Sequence, residues 1–563
     1  MAEDFMAAVV KRVEEQFAKS GVSESCAAFE RKDSQIEMRD GVKLHTIYYF
    51  PREGGSGENK KYPVILTRTC YPGNDRIHRA YGEGLARRGY VYVYQYCRGR
   101  EQSEGKWEPN INERNDGIDT MDYLVEQPWC EILGYWGHSY TSMTGWAFAD
   151  AAEGKVAAMF LEDYGTDRFV SAYEKGCFRH DILTAWSMEN AEKPVNADYR
   201  ESCRYLPQIE VDEALWGQRV PSYREYITSP SPDAALWQTL VETVAGNSIK
   251  NEGSDLSFKR WYDHHHGSSM KTWERLNEET KQHSWLEIGA WNHFFQICLE
   301  DKEVLHPQNE EIPKMLEWFE LTLKQKEIPT QRIRAYEIGA DRWIDIVSDG
   351  LGEKGTAGSM TLYLDEKTLR TDTPEQEKTR NYTFDPATPV ESIGGEALLH
   401  TMPQIGSHLQ PEPDYREDVL SFVSEPLEET FTLNGKASVR LFVESDCEDT
   451  AFTAKIMEVT PEGKAYNIRS SIATLEQGKT EAGAYEPGSV AEVQITMWNI
   501  VYTIPKGSRI RVDVSSSDFP QYHVHSNQKG LWSEKTENKI AHQTIHMGGE
   551  AASCVILPLM KKQ

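Results

Sequence analysis

Four short, unbroken apolar runs at residues 62–67, 90–96, 132–136 and 156–161 alternate with helix-like segments at 79–88, 117–126 and 140–152. Runs without a polar face suit strands buried on both sides, and parallel neighbours require a crossover of the length these helices supply. The alternation predicts an α/β fold built on a mostly parallel sheet. Ahead of it, Ile36 and Met38, the turn Arg39-Asp40-Gly41, and then Leu44, Ile47, Tyr48, Tyr49 and Phe50 predict a hairpin, set apart by the Gly- and charge-rich stretch 53–61. Residues 1–20 carry Glu3, Asp4, Glu14 and Glu15 among apolar residues and predict an amphipathic helix rather than a signal peptide.

Residues 167–254 break the pattern with helical spacing, many aromatics and no βα repeat, which predicts an inserted helical cap. Strand and helix signals return at 258–276 and 284–288. Ile312, Met315, Leu316, Phe319 and Leu323, with Pro313 near the start, mark a closing amphipathic helix. Beyond Ile328-Pro329 only short β-type segments follow (332–338, 360–364, 438–443, 452–459, 493–501 and 510–514), predicting an all-β sandwich of jelly-roll type. The expected division is an α/β core over 1–166 and 255–328, a cap over 167–254, and a β jelly roll over 329–563. A chain of 563 residues exceeds what one hydrophobic core sustains, as this division requires.

A net charge of −28 argues against nucleic acid, whose phosphates must be neutralised by Lys and Arg. No stretch is long and apolar enough for a membrane span. Nine scattered cysteines without CxxC pairs fit free thiols in a reducing compartment, and the expected setting is cytoplasmic. The sequence leaves a homo-oligomer open.

Gly137-His138-Ser139-Tyr140 sits between the apolar run 132–136 and a helix rich in small residues, the strand–turn–helix context of a nucleophile elbow. There the backbone N–H of Tyr140, at the helix start, would face an oxyanion beside Ser139. A serine nucleophile needs a base and an orienting carboxylate, in the order Ser, Asp or Glu, His in such hydrolases. Asp263, after a strand-like run, and His293, after the run 285–288, fit that order. Glu252 and Asp255 compete as acids, and His264, His265, His266 and His283 as bases; spacing does not choose among them.

The chain resembles the CocE/NonD family, the cocaine-esterase and X-prolyl dipeptidyl peptidase-like hydrolases. The resemblance rests on ordered segments along nearly the whole chain: Met38-Arg39-Asp40-Gly41, Arg68-Thr69-Cys70-Tyr71, Gln127-Pro128-Trp129, Gly137-His138-Ser139-Tyr140, Trp261-Tyr262-Asp263, Gly289-Ala290-Trp291-Asn292-His293, Phe384-Asp385-Pro386 and Ile504-Pro505-Lys506-Gly507. It implies Ser139 as nucleophile, His293 as base, Asp263 as orienting acid, and an oxyanion hole formed by the Tyr71 phenol and the Tyr140 backbone N–H. It also implies an α/β-hydrolase core, cap and C-terminal jelly roll, with no cofactor.

Two departures stand out: Ser142 replaces a Gly three residues after the nucleophile, and Ala290 stands where Pro is common. Relatives acting on α-amino-acid esters carry acids just after the triad Asp, where this chain has His264-His265-His266. The expected substrate is therefore an ester or amide of a small, neutral or weakly polar acyl group, unless Glu162, Asp163, Glu174, Asp181 or Glu189 supplies the missing charge. The alternatives are an X-prolyl dipeptidyl aminopeptidase, a β-lactam acylase or amino-acid ester hydrolase and, more remotely, a non-catalytic binding protein. The three adjacent histidines should diverge, so no metal is expected there.

Overall fold

A computed structural model describes residues 2–52, 60–152, 154–193, 195–238, 254–294, 296–302, 304–306, 311–346, 351, 356–396 and 405–561, with side chains of 2–5 and 254–258 excepted. The first sheet has ten strands: β1 (Ala28–Glu37), β2 (Lys43–Arg52), β3 (Tyr62–Thr69), β4 (Val91–Tyr96), β5 (Cys130–His138), β6 (Val156–Glu162), β7 (Ser254–Arg260), β8 (Trp285–Gly289), β9 (Arg332–Glu337) and β10 (Arg342–Ile346). Their spatial order is β1-β2-β4-β3-β5-β6-β7-β8-β9-β10. Strands β3 to β9 run parallel, while β1, β2 and β10 pair antiparallel at the edges.

The order reverses between β3 and β5. The chain first moves outward from β3 to β4 and then crosses back, so the loops after β3 and β5 diverge and leave a crevice at their carboxyl ends. Helices Glu113–Val125 and Tyr140–Trp146 cover one face through Met121, Leu124, Met143 and Trp146. The other face is covered by Ala2–Lys19, Asp75–Arg87 and Glu311–Phe319 through Phe17, Leu85, Ile312 and Phe319.

The first-sheet expectations correspond to β1–β8 with small shifts of boundary. Two strands differ: within the segment 332–338, assigned from sequence to the β domain, Arg332–Glu337 forms β9, parallel to β8, and β10 pairs with it, so the first sheet extends past residue 329. The helical period ends at Leu323, and a short strand read alone carries no sign of which sheet it joins.

From Thr356 onward the strands form a second, 13-stranded network. Its pairings are antiparallel except Thr368–Arg370 with Leu420–Ser424. The end of β9 is tied to this network, since the Thr503 N–H donates to the Ile338 carbonyl (2.7 Å), the Ile338 N–H donates to the Val501 carbonyl (3.2 Å), and Glu337 accepts from Thr432 and Thr503.

The described cap contains helices Arg168–Ala172, His180–Glu189, Tyr199–Arg204, Val211–Ala214 and Pro221–Ile227 around a core that includes Ile182, Tyr223 and Trp237. It also holds a hairpin, Tyr173–Glu174 with Cys177–Phe178, which the expectation of a purely helical cap missed. Lys175 and Gly176 both have positive φ (42° and 90°), the backbone of a two-residue hairpin turn. Strands of two residues are too short to leave a periodic trace. Residues 239–253, the end of the expected cap, lie outside the described residues.

Candidate active site

Strand β5 ends at His138, and helix Tyr140–Trp146 begins one residue after Ser139. Ser139 takes φ 58° and ψ −129°, a strained conformation for a residue with a Cβ, and one that lifts its side chain off the sheet. The turn closes this tightly because Gly137 lacks a side chain: a Cβ there would lie 2.2 Å from the Thr141 carbonyl oxygen. Ser142, the departure from the family pattern, fits. Its hydroxyl donates to the Gly137 carbonyl (2.5 Å) and accepts from the backbone N–H of Glu162 (2.8 Å), fastening the elbow to the end of β6.

Asp263 follows β7 and His293 follows β8, at the same edge of the sheet as Ser139. His293 Nδ1 lies 2.5 Å from Asp263 Oδ2, and His293 Nε2 lies 3.0 Å from Ser139 Oγ. A carboxylate at Nδ1 fixes the ring proton there and leaves Nε2 to accept the serine proton. Burial opposes the charge on Asp263. The imidazoles of His293, His264 and His265, with the His293 hydrogen bond, outweigh it and hold the carboxyl well below the usual range. Its other oxygen accepts from the His265 backbone N–H at 2.6 Å.

The Tyr71 phenol, two residues beyond β3, stands 3.4 Å from Ser139 Oγ, and the Tyr140 backbone N–H faces the same phenol oxygen. Burial raises the Tyr71 phenol and keeps it protonated as a donor. The Tyr140 phenol is engaged elsewhere, accepting from the Asn110 N–H (2.8 Å) and donating to Glu113 (3.0 Å), which leaves its main chain to the site. The two expected oxyanion donors thus meet beside the serine.

The rival residues lie elsewhere. His283 bonds the Pro329 carbonyl, His265 Nδ1 meets Ser171 Oγ (2.9 Å) and His266 Nε2 meets the Asn499 carbonyl (3.1 Å). His264 and His265 stay close, their rings 4.6 and 5.9 Å from that of His293. Glu252 and the side chain of Asp255 lie outside the described residues.

Among the described residues two clusters have metal-ligand spacing, His138/Asp163/His293 and Asp263/His264/His293. Both need His293, whose nitrogens already serve Asp263 and Ser139, and the first also contains the Arg260 guanidinium paired with Asp163. A cation in either would have to break those contacts.

Several residues of the site were not legible in the sequence. Trp186, from the cap helix His180–Glu189, donates to the Tyr71 phenol (3.5 Å) and stacks on Tyr140 with ring centroids 5.7 Å apart; Trp107 packs beside it. Arg260, fully buried at the end of β7, pairs with Asp163 and donates to the His293 carbonyl at 2.5 Å. The basic pair Lys259-Arg260 in a core strand was the available signal, since a buried charge requires partners. Among the candidate acids, Glu174 pairs with Arg179, and Asp181 is buried beside Arg179 and Glu396, with burial lifting its carboxyl to about 8.

Comparison with known proteins adds to this geometry. Residues 40–295 match the X-Pro dipeptidyl-peptidase (S15 family), and residues 329–556 match the X-Pro dipeptidyl-peptidase C-terminal non-catalytic domain. The cocaine esterase of Rhodococcus sp. (strain MB1 Bresler) is 27% identical over 578 residues, covering 94% of this chain and 98% of that one. Among solved structures, an aminopeptidase from a marine sediment Thaumarchaeota archaeon superposes with a TM-score of 0.79 at 20% identity, covering 95% of this chain and 96% of that one. An α-amino acid ester hydrolase gives 0.74 at 20% identity, covering 95% and 97%. These structural likenesses speak for the fold.

Proposed function

Because the chain belongs to the CocE/NonD family of serine hydrolases, we propose that Ser139, His293 and Asp263 form its catalytic triad and that it hydrolyses esters or amides of small acyl groups through an acyl-enzyme. The reading rests on one observation, the chain of contacts from Asp263 through His293 to Ser139 at 2.5 and 3.0 Å. Ser139 Oγ bonds to the substrate carbonyl carbon as its proton passes to His293 Nε2. Charge developing on the carbonyl oxygen is met by the Tyr71 phenol and the Tyr140 N–H. His293 then protonates the leaving alcohol or amine as the bond to it breaks. Water repeats the sequence, giving its proton to His293 and releasing the acid and free Ser139.

Supporting this reading, Arg260, Arg179 and Arg469 pair with the buried acids Asp163, Glu174 and Glu396, and burial raises the carboxyls of Glu162 and Asp181 and favours their neutral forms. A free α-ammonium would find no unclaimed anion among these acids, which favours neutral acyl groups. The second reading, an X-Pro dipeptidyl-peptidase, takes its support from the S15 match.

We further read the β region from Thr356 onward, within the expected 329–563, as a jelly roll, supported by its mostly antiparallel strand network, and the protein as cytosolic, supported by nine unbridged cysteines. Among the described residues no helix is long and apolar enough to cross a membrane. Incubation with a fluorophosphonate followed by peptide mapping tests the proposal: a single adduct on the peptide carrying Ser139 is expected, and an adduct elsewhere overturns it.

A further inference from the structure

The cap and the β region meet along a seam held by reciprocal backbone and side-chain contacts. The Phe178 N–H donates to His523 Nδ1 (2.8 Å), the His523 N–H donates to the Phe178 carbonyl (2.8 Å), and Trp532 Nε1 donates to the Tyr173 phenol (3.3 Å). Beside these contacts lies a cavity of about 200 Å³ that neither the triad nor Tyr71 or Tyr140 lines. Its floor includes the buried residues His180, Cys203 and His523, Trp532 forms a wall, and Arg204 and Lys535 stand at the mouth. Not one Asp or Glu lines it, in a chain whose net charge is −28.

Two further observations point to what would fill it. Because His523 Nδ1 accepts from Phe178, the proton of the neutral ring sits on Nε2. That N–H is buried, in a residue 3% exposed, and has no hydrogen-bond partner. A buried donor left unsatisfied costs the desolvation of that group, which a bound acceptor would recover. Second, the mouth carries positive charge in excess. Arg200 and Arg204 share the single carboxylate of Glu391, and the Lys535 ammonium donates to the Lys529 carbonyl (2.6 Å) rather than to an acid.

We propose that this cavity is a binding site for a small aromatic carboxylate, its ring against Leu206, Pro389 and Val524 beside Trp532, whose indole already stacks on His523 (ring centroids 4.3 Å), and its carboxylate accepting from His523 Nε2–H under the side chains of Arg204 and Lys535. Two cations are what a partly desolvated carboxylate needs, and Arg offers it a planar fork. The aromatic body follows from the rest of the lining: Leu206, Pro389 and Val524 continue the apolar wall begun by Trp532, and a compact inorganic anion would leave that surface unused. The site is separate from the catalytic crevice, and its occupancy does not depend on the hydrolase reading.

Isothermal calorimetry of the full chain with sodium benzoate, benzamide and inorganic phosphate tests it without turnover. Benzoate should bind saturably at one site per chain. Arg204→Gln and Lys535→Gln, both at the solvent-facing mouth, should each weaken it about ten-fold, as should replacing benzoate by neutral benzamide. Trp532→Leu should also weaken it, while Tyr71→Phe, in the catalytic crevice, should leave it unchanged. Thermal unfolding of each variant verifies that the fold is kept. The proposal is overturned if benzoate does not saturate, if both charge variants bind it as the parent does, if Tyr71→Phe abolishes binding, or if phosphate binds as tightly as benzoate.

Discussion

The Arg260 guanidinium donates to the main-chain carbonyl of His293 at 2.5 Å, so the loop that carries the base is held from beneath by a side chain of the neighbouring strand. Arg260 is itself fixed by its ion pair with Asp163, and its Nη1 lies 3.2 Å from His138 Nε2. Ser139 follows His138 directly, so one buried cation contacts both the nucleophile strand and the base loop. Arg260 touches no reacting atom; it positions. Arg260→Met alone should destabilise by about 3–5 kcal/mol, because it strands the buried Asp163 carboxylate. The paired variant Arg260→Met/Asp163→Asn should recover most of that stability. It should still show kcat lowered with KM nearly unchanged, as expected if His293 is no longer held in place. A paired variant with the parent kcat and KM would leave Arg260 a purely structural residue.

Replacing Ser139 by Ala removes the hydroxyl at a solvent-facing elbow and should leave the fold intact. Only the roughly 10³–10⁴-fold catalysis over water that binding and an oxyanion hole provide should remain. Mass spectrometry after fluorophosphonate treatment should find no adduct on that peptide; persistent labelling there would reject Ser139 as nucleophile.

Tyr71→Phe should lower kcat by about 10²–10³ with little change in KM, since the phenol acts on charge present only in the transition state. Tyr71 also accepts from Trp186, so the variant leaves that indole N–H without this partner. A rise in KM with kcat preserved would instead make Tyr71 a substrate-binding residue.

Much of this architecture can be read from the sequence because its signals are local. Strands β3 to β6 are unbroken apolar runs, and the elbow is a tight turn whose glycine and serine must be adjacent in sequence. The relation of Asp263 to His293 is carried only by order along the chain, and the choice over His264, His265, His266 and His283 required the family resemblance. What stayed illegible is what long-range packing decides. The placement of Trp186 over Tyr71 depends on how the cap folds back across 115 residues. The membership of β9 in the first sheet depends on hydrogen-bond partners that a six-residue strand cannot announce.

Asp263→Asn should cut kcat on the order of 10⁴-fold by losing the carboxylate that fixes the tautomer. Its effect on stability has a definite sign. The folded-state carboxyl is held below its ordinary value, so its ionised form stabilises the protein above the unfolded value of about 4, and that contribution fades as pH falls through the depressed folded value. Melting curves of parent and Asp263→Asn should therefore differ most near neutrality and converge in acid. A gap that widens below pH 4 would contradict the direction of the shift. His266→Ala, by contrast, should cost stability through the lost contact with the Asn499 carbonyl yet retain activity, and equal loss of activity in folded His266→Ala and His293→Ala would reassign the base.

Simple esters should be turned over faster than amino-acid esters or Gly-Pro arylamides. The three residues after Asp263 are histidines, and burial holds all three well below their usual values, so they are neutral and offer an ammonium no counter-charge. Of the acids that could substitute, Asp163 is committed to Arg260 and Glu174 to Arg179. Burial, with Glu311 close by, pushes Glu162 well above its ordinary value and favours its neutral form. Asp181, lifted to about 8, is mostly protonated at neutral pH and becomes an anion only in mild alkali. An ammonium entering such a site loses its hydration without a paired carboxylate to replace it, a cost a neutral acyl group does not meet. The measurement is kcat/KM for nitrophenyl acetate and for Gly-Pro-nitroanilide on one preparation at pH 7. A higher value for the dipeptide would overturn the ester preference in favour of the peptidase reading, and a dipeptide rate that climbs steeply between pH 7 and 9 in the parent but not in Asp181→Asn would identify Asp181 as the residue that admits the ammonium.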